Sequence, residues 1–119
     1  MPAQRSPVAV EPFDIVIVPF PFTDRLASKR RPALVLSGAA FNSATRHCVL
    51  AMITSAEQSH WKGDCTIADL AAAGLTAPCL VRPKLFTLDQ RLVLRVSGTL
   101  ASADRKRLRA AWKGLLALA

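Results

Sequence analysis

The sequence is poor in the residues from which metal sites and disulfide frameworks are built. It contains three cysteines and two histidines in 119 residues. Cys48, Cys65 and Cys79 are too few and too scattered for a disulfide framework, and they lack Cys-x-x-Cys zinc spacing. The aspartates are also scattered, without the spacing of metal ligands. We therefore expect no metal and no cofactor, and structural thiols in a reducing compartment.

Long apolar runs are also missing. No stretch approaches the ~18 consecutive apolar residues that a membrane helix needs. The first residues include one arginine and two prolines but no apolar run of signal-peptide length. These patterns predict a cytoplasmic protein.

Acidic residues are scarce relative to basic ones. Eight Asp and Glu residues stand against 16 Lys and Arg residues, and the formal net charge is +8. A small basic domain favours nucleic acid, an acidic protein or an anionic membrane as its ligand, the alternative being a merely soluble basic surface. Of these ligands we expect nucleic acid and an acidic protein, and no membrane. Because 51% of the residues are hydrophobic, the chain is not disordered and is long enough for one domain with one core.

Two apolar runs flank a basic loop. Residues 14–20 and 33–37 are rich in Val, Ile and Leu and are bounded by proline, so they predict buried strands. Lys29, Arg30 and Arg31 then lie where the loop of residues 23–30 enters the second strand. A third predicted strand, residues 47–54, ends beside a second hydroxyl at Ser55. A cationic loop end and a hydroxyl pair at neighbouring strand ends can together bind a phosphate.

The rest of the chain predicts shorter elements. Residues 38–45 suit a turn or a short helix cap, residues 65–67, 79–85 and 92–96 predict strands, and residues 69–73 a helical turn stopped by Gly74. Residues 1–12 are predicted to be a flexible tail, with residues 8–10 as the place where it could be pinned, and residues 13–119 a single domain.

The C-terminal helix has the clearest pattern. Ser102 is the expected N-cap, and an apolar stripe with helical spacing follows at Leu108, Trp112, Leu115 and Leu116. Five cations surround the stripe, and they either bind RNA or form the solvated face of an amphipathic helix. We predict a mainly β fold with a C-terminal α-helix, in the form of a small β-barrel or half-barrel.

Several blocks resemble one protein family in their order and spacing. These are residues 14–16 (DIV), 31–37 (RPALVLS), 41–42 (FN) and 53–55 (ITS), followed by residues 84–89 (KLFTLD) and 97–100 (SGTL). Together they resemble the MazF/PemK toxins, the ribonuclease halves of bacterial toxin–antitoxin pairs. Residues 19–24 (PFPFTD) are similar to the PemK-like branch. The resemblance implies an SH3-like β-barrel of the MazF/PemK/CcdB type that pairs as a homodimer.

The resemblance also implies an activity. It is metal-independent cleavage of single-stranded RNA, in which the 2′-hydroxyl attacks to leave a 2′,3′-cyclic phosphate and a 5′-hydroxyl. The partner implied is an acidic antitoxin that covers the site. Two alternatives remain open: a non-catalytic toxin of the same fold that binds a protein such as gyrase, and a basic RNA-binding module without turnover.

Arg31 and Thr54 are the expected catalytic residues. Arg31 matches the family's catalytic arginine, and a guanidinium can bind two phosphate oxygens while staying charged. Thr54 matches the family's hydroxyl, which can donate to a phosphate oxygen. The alternatives are a strand-end surface arginine and a threonine that caps a turn. Further RNA contacts are expected from Lys29, Arg30, Asn42 and Ser55.

Arg82 and Lys84 are expected to face the same side of one strand and to bind RNA phosphates, the alternative being plain surface charges. Some family members have a catalytic Arg-x-Asp here and a histidine in the first loop. This chain has Lys84 at the aspartate position and no histidine at residues 26–28. The general base therefore stays unassigned.

The aromatic and imidazole side chains offer two more possibilities. His47 and His60 could form an acid–base pair, or they could be an unrelated strand-end and loop histidine. Trp61 could stack on a base or form a hydrophobic lid over the barrel.

Overall fold

The predicted strands form one antiparallel sheet. A computed structural model describes residues 9–20, 29–57 and 60–118. Its elements in chain order are β1 (Asp14–Phe20), β2 (Lys29–Val35), α1 (Ala39–Thr45), β3 (His47–Ser55), β4 (Cys65–Thr66), α2 (Leu70–Ala73), β5 (Cys79–Asp89), a 3₁₀ turn (Gln90–Leu92), β6 (Arg95–Thr99) and α3 (Ser102–Ala111). The strand order is β4-β5-β3-β2-β1-β6, and the sheet curls into a half-barrel with the C-terminal helix beside it. The predicted mainly β fold is confirmed.

Each face of the sheet packs a hydrophobic core, because successive side chains of a strand point to opposite sides. On the helix face, strand residues such as Ile15 and Leu34 pack with Ala73 of α2 and Leu108 of α3. On the opposite face, a second cluster includes Val10, Val16, Val18, Ala33, Val35, Leu50 and Leu88. The three cysteines are free and buried, and burial raises the pKa of the Cys48 thiol to about 11. They are core residues rather than reactive thiols.

The second strand begins earlier than predicted. Lys29, Arg30 and Arg31 belong to β2 and not to a loop, because they pair with Phe20, Pro19 and Val18 of β1. The rest of the predicted basic loop, residues 23–28, lies outside the described residues. A run of charged residues at a strand end looks like a loop in the sequence. The backbone of these residues nevertheless pairs with β1 and extends the antiparallel ladder.

Two later strands also differ from the prediction. β5 extends to Asp89, which pairs with His47 at the start of β3. β6 begins at Arg95 rather than Leu92, and Gly98 lies inside it rather than after it. Gly98 is accepted within the strand because the backbone of α2 approaches it closely.

The C-terminal helix is shorter than its apolar stripe predicted. α3 ends at Ala111, so Leu115 and Leu116 beyond it are 41% and 56% exposed. The N-cap is Ala101 rather than Ser102, and it makes no side-chain capping bond. α2 ends at Gly74 in the left-handed conformation, as predicted. No helix in the described part of the chain is long and apolar enough to cross a membrane.

The predicted N-terminal tail is only partly described. Residues 1–8 lie outside the described residues. Val10, however, is 1% exposed and packs in the second core cluster. The N-terminal segment is therefore anchored at Val10, within the range where the sequence suggested a contact, and a flexible tail over residues 1–12 stays a prediction.

Asp104 connects α3 to the turn before α2. Its buried carboxylate accepts the backbone N–H groups of Ala68 at 3.0 Å and Asp69 at 2.9 Å, and it pairs with Arg107. We expect Asp104→Ala to lower the free energy of unfolding by about 2 kcal/mol, because two backbone donors lose an ionised acceptor. Asp69→Ala removes one exposed capping bond, to Ala72 N–H, and should cost about 1 kcal/mol. Urea unfolding of both variants measures the difference, and equal losses would contradict the assignment.

Candidate functional site

One cleft collects most of the basic and hydroxyl residues singled out in the sequence. Its volume is about 470 Å³, and it lies where β2 begins and β3 ends, beside the segment that leads into β5. Five of its lining residues are predicted site residues: Lys29, Arg30, Arg31, Thr54 and Ser55. The other walls come mainly from residues 75–79. Three cations and three hydroxyl side chains, those of Thr54, Ser55 and Thr76, line this cleft, and such a lining is suited to an anion.

Register places Arg31 and Thr54 on the same face. β2 and β3 pair with Ala33 opposite Met52 and Leu34 opposite Ala51. Continuing this register by two residues puts Arg31 opposite Thr54, and residues directly opposite have Cβ atoms about 5 Å apart. Arg31 is also opposite Val18, whose side chain belongs to the core cluster opposite the helix face. Because the Cβ atoms of Arg31 and Thr54 are this close, a single phosphate group can contact both side chains.

The guanidinium of Arg31 is oriented by an aromatic ring. Its Cζ lies 4.8 Å from the centroid of the Phe20 ring, a cation–π contact between adjacent strands. Its Nε is buried, and among residues 9–20, 29–57 and 60–118 it has no hydrogen-bond partner. A buried N–H donor without an acceptor is costly, so this geometry favours an anion beside Arg31.

The two hydroxyls at the end of β3 differ. Thr54 is partly exposed and points to the same side as Arg31. Ser55 is the next residue and so points to the other side. The Ser55 hydroxyl also accepts the Glu57 N–H at 3.2 Å and caps the turn after β3. Thr54 is thus the better placed of the pair for a phosphate opposite Arg31.

Asn42 is not available to RNA, contrary to the sequence expectation. It is 1% exposed in α1. Its Nδ2 donates to the carbonyls of Val10 and Ser37, both at 3.1 Å, and its Oδ1 accepts the Ser37 hydroxyl. The amide therefore holds the N-terminal segment against α1 and has a structural role.

Arg82 is committed to another residue rather than left free for phosphate. Its Nε and Nη2 donate to the two carboxylate oxygens of Asp64 at 3.1 and 2.8 Å. The two side chains are only 11% and 6% exposed. The hydrogen bond from Arg82 lowers the pKa of Asp64, and the same bond raises the pKa of Arg82. Arg82 therefore has an ionic partner within the chain, and direct binding of an RNA phosphate by Arg82 stays a prediction.

Among the residues that the structure describes, no ion pair comparable to that of Arg82 defines the role of Lys84. It is exposed and lies with Pro83 in a bulge of β5, since Met52 pairs with Arg82 while the neighbouring Ala51 pairs with Leu85. It remains a candidate RNA contact on charge alone.

The histidines do not form a pair at the cleft. His47 begins β3 and Thr54 is seven residues further along the strand, a distance of about 23 Å. His60 lies beyond the other end of β3, in an exposed connection. The acid–base pair considered from sequence is therefore not supported by these positions.

Sequence reasoning missed Asp64, which is the partner of Arg82. Asp64 was only one of several scattered aspartates. The sole local signal is that it precedes the short predicted strand at Cys65, which pairs with Val81 next to Arg82.

Comparisons with known proteins agree with this geometry. Residues 11–116 match the family model described as PemK-like, MazF-like toxin of type II toxin–antitoxin systems. No curated protein shows significant sequence similarity to the chain.

Solved structures share the fold at low sequence identity. A chain from a MazE–MazF crystal structure of Deinococcus radiodurans has a TM-score of 0.71 and 23% identity, covering 95% of this chain and 100% of that one. An endoribonuclease in complex with its cognate antitoxin from Mycobacterial species has a TM-score of 0.69 and 15% identity, with coverages of 93% and 96%. The Mycobacterium tuberculosis toxin MazF-mt6 has a TM-score of 0.65 and 21% identity, with coverages of 82% and 90%. With the family match over nearly its whole length, the chain belongs to the PemK-like, MazF-like toxins of type II toxin–antitoxin systems.

Proposed function

We propose that this toxin is an endoribonuclease that cleaves single-stranded RNA without a metal ion. The observation that supports it best is the cleft in which Arg31 and Thr54 lie on one face, with Lys29 and Arg30 beside them. Two of the structurally similar chains, both from Mycobacterial species, are also named as endoribonucleases.

The reaction uses the substrate's own nucleophile. The 2′-hydroxyl oxygen attacks the adjacent phosphorus and loses its proton, the P–O5′ bond breaks, and the 5′-oxygen gains a proton. The products are a 2′,3′-cyclic phosphate and a 5′-hydroxyl, and neither step requires a metal ion. Arg31 stabilises the negative charge that develops on the phosphorane oxygens, and Thr54 donates a hydrogen bond to one of them. The proposal assigns no general base.

The partners we propose are an acidic antitoxin and a second copy of the chain. MazE–MazF complexes and an endoribonuclease bound to its cognate antitoxin are among the structurally similar proteins. The net charge of +8 complements both an RNA and an acidic polypeptide. We propose a cytoplasmic location, where both partners would be met.

The function is tested with purified protein and a long single-stranded RNA in EDTA. We expect cleavage that resists EDTA and leaves 5′-hydroxyl and 2′,3′-cyclic phosphate ends, mapped by end-specific ligation and labelling. Intact RNA from several sequences, with toxicity retained on expression, would overturn the nuclease proposal and favour a non-catalytic toxin.

Thr54 supplies a graded test of the site. We expect Thr54→Ala to lower kcat/KM about 10- to 100-fold, because a hydrogen bond to a charged oxygen is lost. Thr54→Ser keeps the hydroxyl and should retain most of the activity. Equal losses in the two variants would show that the methyl group, and not the hydroxyl, matters.

A further inference from the structure

The turn from Trp61 to Asp64 is held unusually firmly for an exposed connection. The Asp64 N–H donates to the Trp61 carbonyl at 3.1 Å, and the Asp64 carboxylate accepts the Trp61 N–H at 2.8 Å. Gly63, with a φ of 94°, offers its carbonyl to the Trp112 indole N–H at 2.7 Å. These bonds fix the turn to itself and to the residue at the end of α3.

The indole of Trp61 rests on a guanidinium that is itself fixed. Cζ of Arg82 lies 5.0 Å from the Trp61 ring centroid. The same guanidinium is chelated by Asp64, so one carboxylate holds both the backbone of Trp61 and the cation beneath its ring. Trp61 nevertheless stays 44% exposed. An oriented aromatic ring with one covered face and an exposed remainder is a stacking platform.

Register places this platform beside the candidate site. Thr54 pairs with Leu80 and Met52 with Arg82, so Arg82 and Thr54 are diagonal neighbours on the same face of the sheet. Such neighbours lie about 7–8 Å apart. That face is also the one on which Arg31 lies opposite Thr54. A strand of RNA with its phosphate at Arg31 and Thr54 would therefore pass Trp61.

We propose that Trp61 is an RNA-binding residue that stacks on a base adjacent to the scissile phosphate, and that Arg82 is the positioning residue that holds the indole in place. The inference rests on the proposed function in that the ligand is single-stranded RNA. It gives Arg82 a role through Trp61 instead of through a phosphate. Because every base has a π-face, the platform selects for an unstacked single strand more than for a particular base.

An abasic scan tests Trp61 without depending on cleavage. The probe is a fluorescently labelled mixed-sequence RNA oligonucleotide with 2′-O-methyl groups throughout, which lacks the attacking hydroxyl. We expect Trp61→Ala to weaken binding about tenfold in fluorescence anisotropy, and Trp61→Phe to retain most of the affinity. In the scan, each oligonucleotide lacks one base at a different position. We expect the loss of one particular base to weaken binding by the wild type, and the same abasic oligonucleotide to bind Trp61→Ala no more weakly than the intact one does. Additive losses at every position would overturn the stacking role.

Arg82→Lys tests the positioning role. Lysine keeps the charge for a phosphate but cannot chelate Asp64 side-on or lie flat on the indole. We expect Arg82→Lys to match the affinity loss of Trp61→Ala, to raise acrylamide quenching of tryptophan fluorescence, and to add little to Trp61→Ala in the double variant. Full affinity in Arg82→Lys, or additive losses in the double variant, would contradict the positioning role and favour a direct contact between Arg82 and a phosphate.

The two proposals fail separately. RNA that is cleaved equally well by wild type and Trp61→Ala, with no position-specific abasic effect, would overturn the platform and leave the nuclease proposal standing. If RNA is bound with the position-specific abasic effect but is never cleaved, the stacking role of Trp61 stands and the nuclease proposal is overturned. If Arg82→Lys does not fold, as judged by circular dichroism, Asp64→Asn replaces it, since it weakens the chelation of Arg82 and keeps a side-chain oxygen that can accept the Trp61 N–H.

Discussion

Arg31→Ala is expected to reduce the rate of RNA cleavage about 10²- to 10³-fold. The alanine removes the cation opposite Thr54. The buried Nε of Arg31 has no hydrogen-bond partner in the described part of the chain. Charge that develops on the phosphorane oxygens then loses its preorganised donor, while much of the RNA binding by Lys29 and Arg30 persists. The loss should therefore fall mainly on kcat rather than on KM, measured with a fluorogenic RNA in EDTA.

The matched control for Arg31→Ala is Arg95→Ala. Arg95 is an exposed arginine in β6, and it pairs with Ile17, one residue before Val18, so it lies on the other face of the sheet from Arg31. The substitution removes the same charge and should leave kcat within about twofold of wild type, since its charge is screened from the cleft. Equal losses in the two variants would mean that net charge, and not the position of Arg31, supports cleavage. Retained activity in Arg31→Ala would place the chemistry elsewhere.

Gly98→Ala is expected to destabilise the fold by about 3 kcal/mol, which is a large part of a typical domain's stability. A Cβ at Gly98 would lie 2.3 Å from the Ala72 carbonyl oxygen and 2.5 Å from the Ala73 carbonyl carbon. Both are backbone atoms, which cannot rotate away as a flexible side chain can. The clash would separate α2 from β6 and break the bond from Ser97 Oγ to the Ala73 carbonyl, which is 2.9 Å long. The melting temperature at fixed protein concentration should fall by about 10 °C.

Gly38→Ala is the control for this effect. Gly38 has a φ of −71°, and a Cβ built there meets nothing within 4 Å. Its melting temperature should change by no more than about 2 °C. A similar fall in both variants would indicate a general effect of added methyl groups and would contradict the packing argument at Gly98.

Part of the candidate site could be predicted from the sequence. Arg31 stands just before one apolar run and Thr54 closes another. An antiparallel pair brings the start of one strand beside the end of its neighbour, so a shared cleft could be anticipated. Asn42 was misassigned because a polar side chain in a Gly- and Ser-containing connection looks exposed. Its burial depends on Val10, which is 32 residues away along the chain. Local pattern carries no information about such a partner.

By itself the sequence determined the mainly β architecture, the C-terminal helix and the buried cysteines, which follow from apolar periodicity, a local property of the chain. Arg31 and Thr54, which both line the cleft, were singled out by their strand-end positions together with the resemblance to the MazF/PemK toxins. Only the tertiary structure decided that β2 begins at Lys29, that Arg82 forms an ion pair with Asp64, and that the Trp61 ring makes a cation–π contact with Arg82. Each of these depends on strand pairing that joins distant residues, as in the 18-residue separation of Asp64 and Arg82. The physical reason is that ion pairs and stacking contacts form wherever the sheet register places two side chains, and register follows from the packing of the whole sheet.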